Sequence, residues 1–227
     1  MIDDTTFGGA MGRLGPYKLD TIVSGDCLDV MRQMPDGCVD AVVADPPYGI
    51  NHAEWDKCVN PLWFAEILRV SAGTVLLFSG PQVRSMRAFM EHEPDRCLIW
   101  SPSFTLTHGR ANGCFYRWHA IWLWRLPDKL DGIKWDILTD PCLGRKHEYY
   151  HPAMKPEQLI QRLVASIPGD VIFDPFMGSG TTAVAAKKLG RHYFGCDISE
   201  EYVKLARERV AKIDGVQLEL PRVVVTL

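Results

Sequence analysis

Residues 171–182 read VIFDPFMGSGTT, and this stretch decides the fold. An apolar, strand-forming run ends at Asp174, a turn with two glycines follows, and a helix-forming run begins at Thr181. Glycine lets a backbone approach a ligand closely, and the first N–H groups of a helix are unpaired donors. The order of strand, glycine turn and helix therefore predicts a βαβ unit that binds a ligand.

An acidic residue, Asp197, ends the next strand-like run, where it can accept hydrogen bonds from ribose hydroxyls. The βαβ unit is therefore predicted to bind a cofactor that contains adenosine. Residues 178–183 also satisfy the dinucleotide pattern G-x-G-x-x-A, so a nicotinamide-dependent oxidoreductase remains an alternative. Asp174 favours S-adenosylmethionine, because a carboxylate just before the glycines repels a pyrophosphate and attracts sulfonium and ammonium groups.

Further apolar runs extend the sheet around this unit. Strands are predicted at 19–24, 39–44, 74–78, 97–100, 120–124, 170–174 and 192–196, and helices at 156–166, 181–189 and 200–212. Continuous apolar strands separated by helices predict an α/β fold whose mostly parallel sheet is covered on both faces. Residues 1–16 are predicted to form a flexible arm, and residues 17–227 a single domain.

Composition excludes several classes of protein. The seven cysteines are scattered without a CxxC pair and the histidines lack metal-ligand spacing, so we expect no metal site, no disulfide framework and a reducing cytoplasm. No apolar run reaches the roughly 18 residues of a membrane span.

Charge is unevenly distributed although the formal net charge is only −3. Residues 96–127 contain no Asp or Glu but several arginines and tryptophans, whereas residues 26–56 are strongly acidic. A basic, aromatic segment beside an acidic one suits a protein that holds a polyanion and a cationic group. Trp122 and Trp124 lie in a strand-like run, and we expect them in the core.

The second motif is Asp45-Pro46-Pro47-Tyr48, directly after the strand predicted at 39–44. At the carboxyl edge of an open α/β sheet this is where ligands bind. Asp45 and the carbonyl of Pro46 are two acceptors for the hydrogens of an exocyclic amine, and Pro47 helps to hold that carbonyl in place. Tyr48 offers a flat face to a base taken out of the stack. The motif predicts methyl transfer to an amino group of a DNA base by direct displacement.

The two motifs together resemble the amino-group DNA methyltransferases of the beta type, in which the catalytic tetrapeptide precedes the cofactor motif. The resemblance implies a Rossmann-like, doubly wound sheet of seven strands with one antiparallel strand, in permuted order, and S-adenosylmethionine as cofactor. It adds residues 25–27 at the adenine of the cofactor, and 151–156 at its methionine end. The expected cofactor residues are Asp26, Cys27, Lys155, Asp174, Pro175, Phe176, Gly178, Ser179, Gly180, Thr181, Thr182 and Asp197.

The chain departs from the family pattern at a few positions. Ala153 stands where the family usually has Thr, Ser101-Pro102 where a Lys is common, and Ala120 where an acid is common. The segment in the position of target recognition, residues 127–150, is short. It predicts few base contacts, with Arg145, Lys146 and His147 as candidates or as ordinary surface residues, and a short recognition sequence or help from a second subunit.

The sequence favours N6 of adenine as the target, because Asp rather than Ser opens its tetrapeptide, and in the family that it resembles Asp leans toward adenine and Ser toward cytosine. Cytosine N4 is the alternative, and RNA or a protein glutamine fits less well. A catalytically silent DNA-binding module is a further alternative. The expected partners are double-stranded DNA, a second copy of the chain and a cognate restriction nuclease.

Overall fold

A computed structural model describes residues 12–47, 61–101, 108–111, 114–116, 118–139 and 154–213. The strands are β1 (Arg13–Leu14), β2 (Tyr17–Lys18), β3 (Thr21–Ser24), β4 (Ala41–Ala44), β5 (Val75–Ser79), β6 (Arg96–Trp100), β7 (His108–Ala111), β8 (Cys114–Tyr116), β9 (His119–Trp124), β10 (Ile137–Leu138), β11 (Val171–Asp174) and β12 (His192–Asp197). The helices are α1 (Cys27–Arg32), α2 (Pro61–Val70), α3 (Val83–Met90), α4 (Glu157–Ser166), α5 (Thr181–Lys188) and α6 (Glu200–Ala211).

Eight strands form the main sheet, in the order β10-β6-β9-β5-β4-β11-β12-β3. β9 runs antiparallel to both of its neighbours, and the other pairs are parallel. The predicted α/β fold with one antiparallel strand is confirmed. The sheet has one strand more than the seven expected, because β10 pairs with β6 at the edge through two residues of the predicted recognition segment.

Apolar residues on both faces of the sheet explain why it is covered twice. One core packs α4, α5 and α6 against one face, and the other packs α1, α2 and α3 against the opposite face. β4 and β5 are buried along their whole length, as central parallel strands require. Trp122 and Trp124 are each 5 % exposed in the second core, so their predicted burial is confirmed.

Small residues let α5 lie close to its neighbours. All six positions from Thr181 to Ala186 are buried, and the sequence there is Thr-Thr-Ala-Val-Ala-Ala. Side chains of this size allow the helix to contact α4, α6 and the sheet at once. The helix after the glycine turn is thereby fixed on three sides.

The N-terminal region differs from the predicted arm. β1 and β2 pair as a hairpin, with Arg13 opposite Lys18, and Leu14 is only 3 % exposed. Burial of Leu14 in the core below α1 gives this segment a fixed position. An arm that continues to Pro16 is therefore wrong for residues 12–16, and the rest of the predicted arm lies outside the described residues.

Candidate active site

The carboxyl ends of five neighbouring parallel strands place the predicted site residues along one edge. The register pairs Ala44 of β4 with Leu77 of β5, Phe173 of β11 with Val42, and Asp174 with Gly195 of β12. Asp45, Asp174 and Asp197 therefore end three adjacent strands. β3 continues the row on the far side of β12 and leads into Gly25-Asp26. The strand pairing thus brings the described residues of both motifs to one edge of the sheet.

Asp45 forms the first part of the site. Its carboxylate is about one quarter exposed, and its Oδ2 accepts a hydrogen bond from Nζ of Lys155. Pro46 and Pro47 follow at the end of β4, as the sequence predicts. Tyr48, the last residue of the motif, lies outside the described residues, as do the recognition candidates Arg145, Lys146 and His147.

Lys155 is buried, although lysine is rarely buried without a partner. Its side chain is 7 % exposed, and its Nζ lies 5.2 Å from the centroid of the Phe78 ring at the end of β5. The ring face and the carboxylate of Asp45 both stabilise the ammonium group. Pro156 stands at the N-cap position of α4 directly after Lys155, so the lysine immediately precedes the helix.

Asp174 is the most strongly perturbed acid of the site. The side chain is 4 % exposed, and its Oδ1 accepts a hydrogen bond from the N–H of Phe176 at 2.9 Å. Burial raises the pKa of this carboxyl to about 7, hydrogen bonds from Thr182 and Phe176 oppose the rise, and the charges of Asp45 and Asp197 add to it. A buried carboxyl of this kind favours a cationic ligand group.

The glycine turn is held by Asp197. The N–H of Gly178 donates to Asp197 Oδ2 at 2.7 Å, and the N–H of Ser199 donates to Oδ1 at 2.9 Å. The predicted acid therefore fixes the turn, and its role toward ribose stays a prediction. Gly180 has φ +84°, and a Cβ there would lie 2.7 Å from Cβ of Ala206. Gly180 is thus required both by its backbone angle and by the close approach of α6.

Arg209 of α6 was not predicted from the sequence as a site residue. It is 6 % exposed, and its Nη1 donates to the carbonyl of Ser179 at 2.6 Å, to Ser179 Oγ at 3.0 Å and to Thr181 Oγ1 at 3.3 Å. The same Nη1 lies 3.5 Å from the sulfur of Met154, the residue before Lys155. Arg209 therefore ties the glycine turn to the segment that carries Lys155.

The remaining predicted cofactor residues lie at the same edge. Asp26 caps α1 by accepting a hydrogen bond from Leu28 at 2.8 Å, and Cys27 begins that helix. Burial, with a contribution from Asp26, raises the pKa of the Cys27 thiol to about 12, so the thiol stays protonated. Thr182 Oγ1 donates to the carbonyl of Val43 at 3.4 Å and links the glycine turn to β4.

Pro175 and Phe176 shape the turn from the side of α2. The Phe176 ring meets Trp63 edge-on at 5.3 Å between centroids, and the Pro175 carbonyl accepts from the thiol of Cys196 at 3.5 Å. These contacts hold the chain between Asp174 and the glycines against the second core.

The residues at this edge of the sheet fit S-adenosylmethionine. Asp174 makes no ion pair with any described residue, and its buried carboxyl suits an ammonium group. A Cβ at Gly178 would lie 3.9 Å from the backbone oxygen of Phe176, so the turn leaves room for a ligand beside it. Among the described residues no group of three or more His, Cys, Asp or Glu side chains could hold a metal ion. Nor is any helix of the described ranges long and apolar enough to cross a bilayer.

Known proteins are similar to this chain in sequence and in fold. The DNA methylase family model for N6 and N4 methyltransferases matches residues 85–208, which include Lys155 and the glycine turn. The type II methyltransferase M.BglII of Bacillus subtilis is 31 % identical over 83 % of this chain and 68 % of its own length. M.HinfI of Haemophilus influenzae, also a type II methyltransferase, is 26 % identical over 86 % of this chain and 69 % of its own length.

Two solved structures have the same fold. The M1.HpyAVI complex with S-adenosylmethionine aligns with a TM-score of 0.61 and 22 % identity, over 83 % of this chain and 98 % of that one. The cytosine-N4-specific PvuII DNA methyltransferase aligns with a TM-score of 0.66 and 18 % identity, over 87 % of this chain and 89 % of that one. On the family match and the M.BglII identity, the chain belongs to the DNA methylase family of amino-group methyltransferases, whose methyl donor is S-adenosylmethionine.

Proposed function

We propose that this protein methylates the N6 amino group of adenine in double-stranded DNA. The observation that carries the proposal is the position of Asp45. Its carboxylate ends β4, beside the strand that ends in the buried Asp174 and leads into the glycine turn. An acceptor for an amine and a cradle for a cationic methyl donor are thereby neighbours.

Asp45 and Pro46 make the exocyclic amine, which is a poor nucleophile, able to attack a methyl group. The lone pair of an exocyclic amine is conjugated with the base, and two hydrogen-bond acceptors on its hydrogens favour a tetrahedral nitrogen. Asp45 supplies one acceptor and the backbone carbonyl of Pro46 the other. The two consecutive prolines have fixed φ angles and no N–H group, so this carbonyl is held in place. The amine gives up one proton through its hydrogen bond to Asp45, and the partial exposure of Asp45 lets water take that proton.

The residues around the glycine turn bind the cofactor and orient it. S-adenosylmethionine supplies, when bound, a methyl group on a sulfonium centre. Ionised Asp174 attracts the ammonium group of the methionine part, and the glycine turn from Gly178 to Thr181 offers backbone N–H groups. Asp26, Cys27 and Asp197 stand at the ends of β3 and β12, where we place the adenosine. Catalysis then comes from position and exclusion of water, without a covalent enzyme intermediate.

The target base must leave the duplex stack before its amine can reach Asp45. We propose Tyr48 as the side chain on which the base stacks. An aromatic stacking platform contributes roughly 1–3 kcal/mol per base. Tyr48→Phe is expected to retain most of the activity, whereas Tyr48→Ala is expected to lose most of it.

Identification of the methylated nucleoside tests the proposal. Amplified, unmethylated DNA is incubated with labelled S-adenosylmethionine, digested to nucleosides and analysed by mass. We expect label in N6-methyladenine, since Asp opens the tetrapeptide. Label in N4-methylcytosine would overturn the choice of base but keep the amino-group mechanism, and label in neither would overturn the proposed function.

Two further expectations concern partners. A short recognition segment favours help from a second subunit, which sedimentation of the protein with and without DNA measures. Pairing with a restriction nuclease is a second proposal, and cleavage of DNA only in its unmethylated form by a companion nuclease would support it.

A further inference from the structure

Lys155 contacts the acceptor side of the site. The family resemblance places this residue at the methionine end of the cofactor. In the structure its Nζ forms an ion pair with Oδ2 of Asp45, although the two residues are 110 positions apart in sequence. Its ammonium also lies over the ring of Phe78, on the strand next to that of Asp45.

The ion pair between Lys155 and Asp45 lies in largely buried surroundings. Lys155 is almost fully buried and Phe78 is 1 % exposed, so the ammonium is largely removed from water. A buried charge that loses its partner is strongly unfavourable, and each member of the pair therefore restricts the other. A carboxylate has about four lone-pair sites, so the bond from Lys155 at Oδ2 does not by itself prevent Asp45 from accepting a hydrogen bond from an amine.

We propose that Lys155 is a positioning residue for the methyl acceptor, which acts by holding the carboxylate of Asp45 in a fixed orientation. The inference rests on the proposed function and deepens it. Lys155 lies between Met154, which contacts Arg209, and Pro156 at the start of α4, and these neighbours restrict the position of its backbone.

Lys155→Met tests this role, because methionine keeps much of the chain length and removes the charge. The rate of a single turnover on unmethylated DNA, at saturating S-adenosylmethionine, is expected to fall roughly 100-fold, as for other lost electrostatic contacts in active sites. The dissociation constant of S-adenosylmethionine, measured by calorimetry without DNA, is expected to change by less than about threefold. Lys155→Arg retains the charge, and its single-turnover rate is expected to be about tenfold higher than that of Lys155→Met.

Lys204→Met is the matched control, because Lys204 is an exposed lysine of α6 and its loss should change neither measurement. Thermal unfolding shows whether each variant is folded. If Lys155→Met does not fold, the Lys155→Arg variant tests the proposal instead. That variant should keep the cofactor affinity and a rate between those of the wild type and an Asp45→Ala variant.

Three results would overturn the inference. The first is a tenfold or greater loss of cofactor affinity in Lys155→Met, which would place the residue at the cofactor. The second is a wild-type rate in that variant. The third is a wild-type protein that methylates no DNA base, which removes the proposed function as well. Wild-type label in N4-methylcytosine would change only the base, and the ratio of rates between wild type and Lys155→Met would still test Lys155.

Discussion

Burial raises the pKa of Asp174, and the position of this residue in the sequence alone does not reveal that shift. An acid before a glycine turn is expected to be ionised at neutral pH, yet desolvation raises the pKa of this one to about 7. The carboxyl is therefore only partly ionised in the free protein under ordinary conditions. A cationic ligand group supplies the missing partner, and cofactor binding and ionisation of Asp174 should be linked.

The first prediction is that affinity for S-adenosylmethionine rises with pH between about 5.5 and 7.5. Only ionised Asp174 attracts the ammonium group, and its ionised fraction increases through a pKa of about 7. The expected change is roughly tenfold per pH unit below the pKa. Calorimetry over this range measures it. Asp174→Asn should bind weakly and without this slope, and a slope that persists in the variant would contradict the assignment.

The second prediction concerns stability of the ligand-free protein. The folded-state pKa of Asp174 is raised above its ordinary value of 3.8, so its contribution to stability is fully present below about pH 4 and is lost as pH rises through about 7. The upper bound of the loss is about 4 kcal/mol, at about 1.4 kcal/mol per unit of pKa difference. Asp174→Asn should therefore gain clearly more stability relative to wild type at pH 8 than at pH 4, where little gain is expected, in urea unfolding at both values.

The third prediction is that Gly180→Ala damages the cofactor site through the close approach of α6. The new Cβ would lie 2.9 Å from the backbone Cα of Ala206, and φ is +84°. We expect a loss of about 2–3 kcal/mol in the free energy of unfolding and a large loss of cofactor affinity. Gly190→Ala is the control, since φ is +69° there and nothing lies within 4 Å. It should cost only about 1–2 kcal/mol and leave the affinity unchanged.

Among the elements, α6 serves two parts of the molecule through two arginines. Arg209 donates to Ser179 in the glycine turn, whereas Arg207 donates to the carbonyl of Ile22 on the edge strand β3 at 2.9 and 2.6 Å. Both residues bond a backbone carbonyl, and only one of those carbonyls belongs to the site. The helix thus offers a direct comparison between an arginine that bonds an edge strand and one that bonds the glycine turn.

The fourth prediction is that Arg209→Met raises the dissociation constant of S-adenosylmethionine by about tenfold or more, because Ser179 loses a charged donor and the turn loses its anchor. Arg207→Met should destabilise the fold but keep the cofactor affinity. Calorimetry and thermal unfolding of both variants measure the two effects. Equal losses of affinity in the two variants would show that Arg209 acts only through general stability.

The elements that the sequence predicted well are those with a strong local signal. The apolar runs of β4, β5, β11 and β12 and the helices after residue 156 are found within a few residues of their predicted positions. β10 was missed because a two-residue strand has no periodicity to detect, and its pairing with β6 is a tertiary contact.

At the scale of the whole molecule, the site is a product of strand order. β3 and β4 are far in sequence from β11 and β12, but the parallel pairing of these strands brings their carboxyl ends to one edge. The two motifs predicted that edge, because each directly follows a buried strand. Their partners were not predictable in the same way. Arg209 lies in a charged helix, where a buried arginine and a solvated one have the same sequence pattern, and the pairing of Lys155 with Asp45 depends on the folded arrangement of α4 and β4.

The central claim is that one sheet edge carries two separable functions, which are positioning of the target amine by Asp45 and binding of the cofactor around the glycine turn. The most direct test measures both in a single variant, Asp45→Ala, after thermal unfolding has shown that it is folded. We predict that methyl incorporation into DNA falls at least about 1,000-fold, whereas calorimetry gives an affinity for S-adenosylmethionine within about threefold of wild type. Methyl incorporation near the wild-type level, or a simultaneous loss of cofactor binding, would contradict this account.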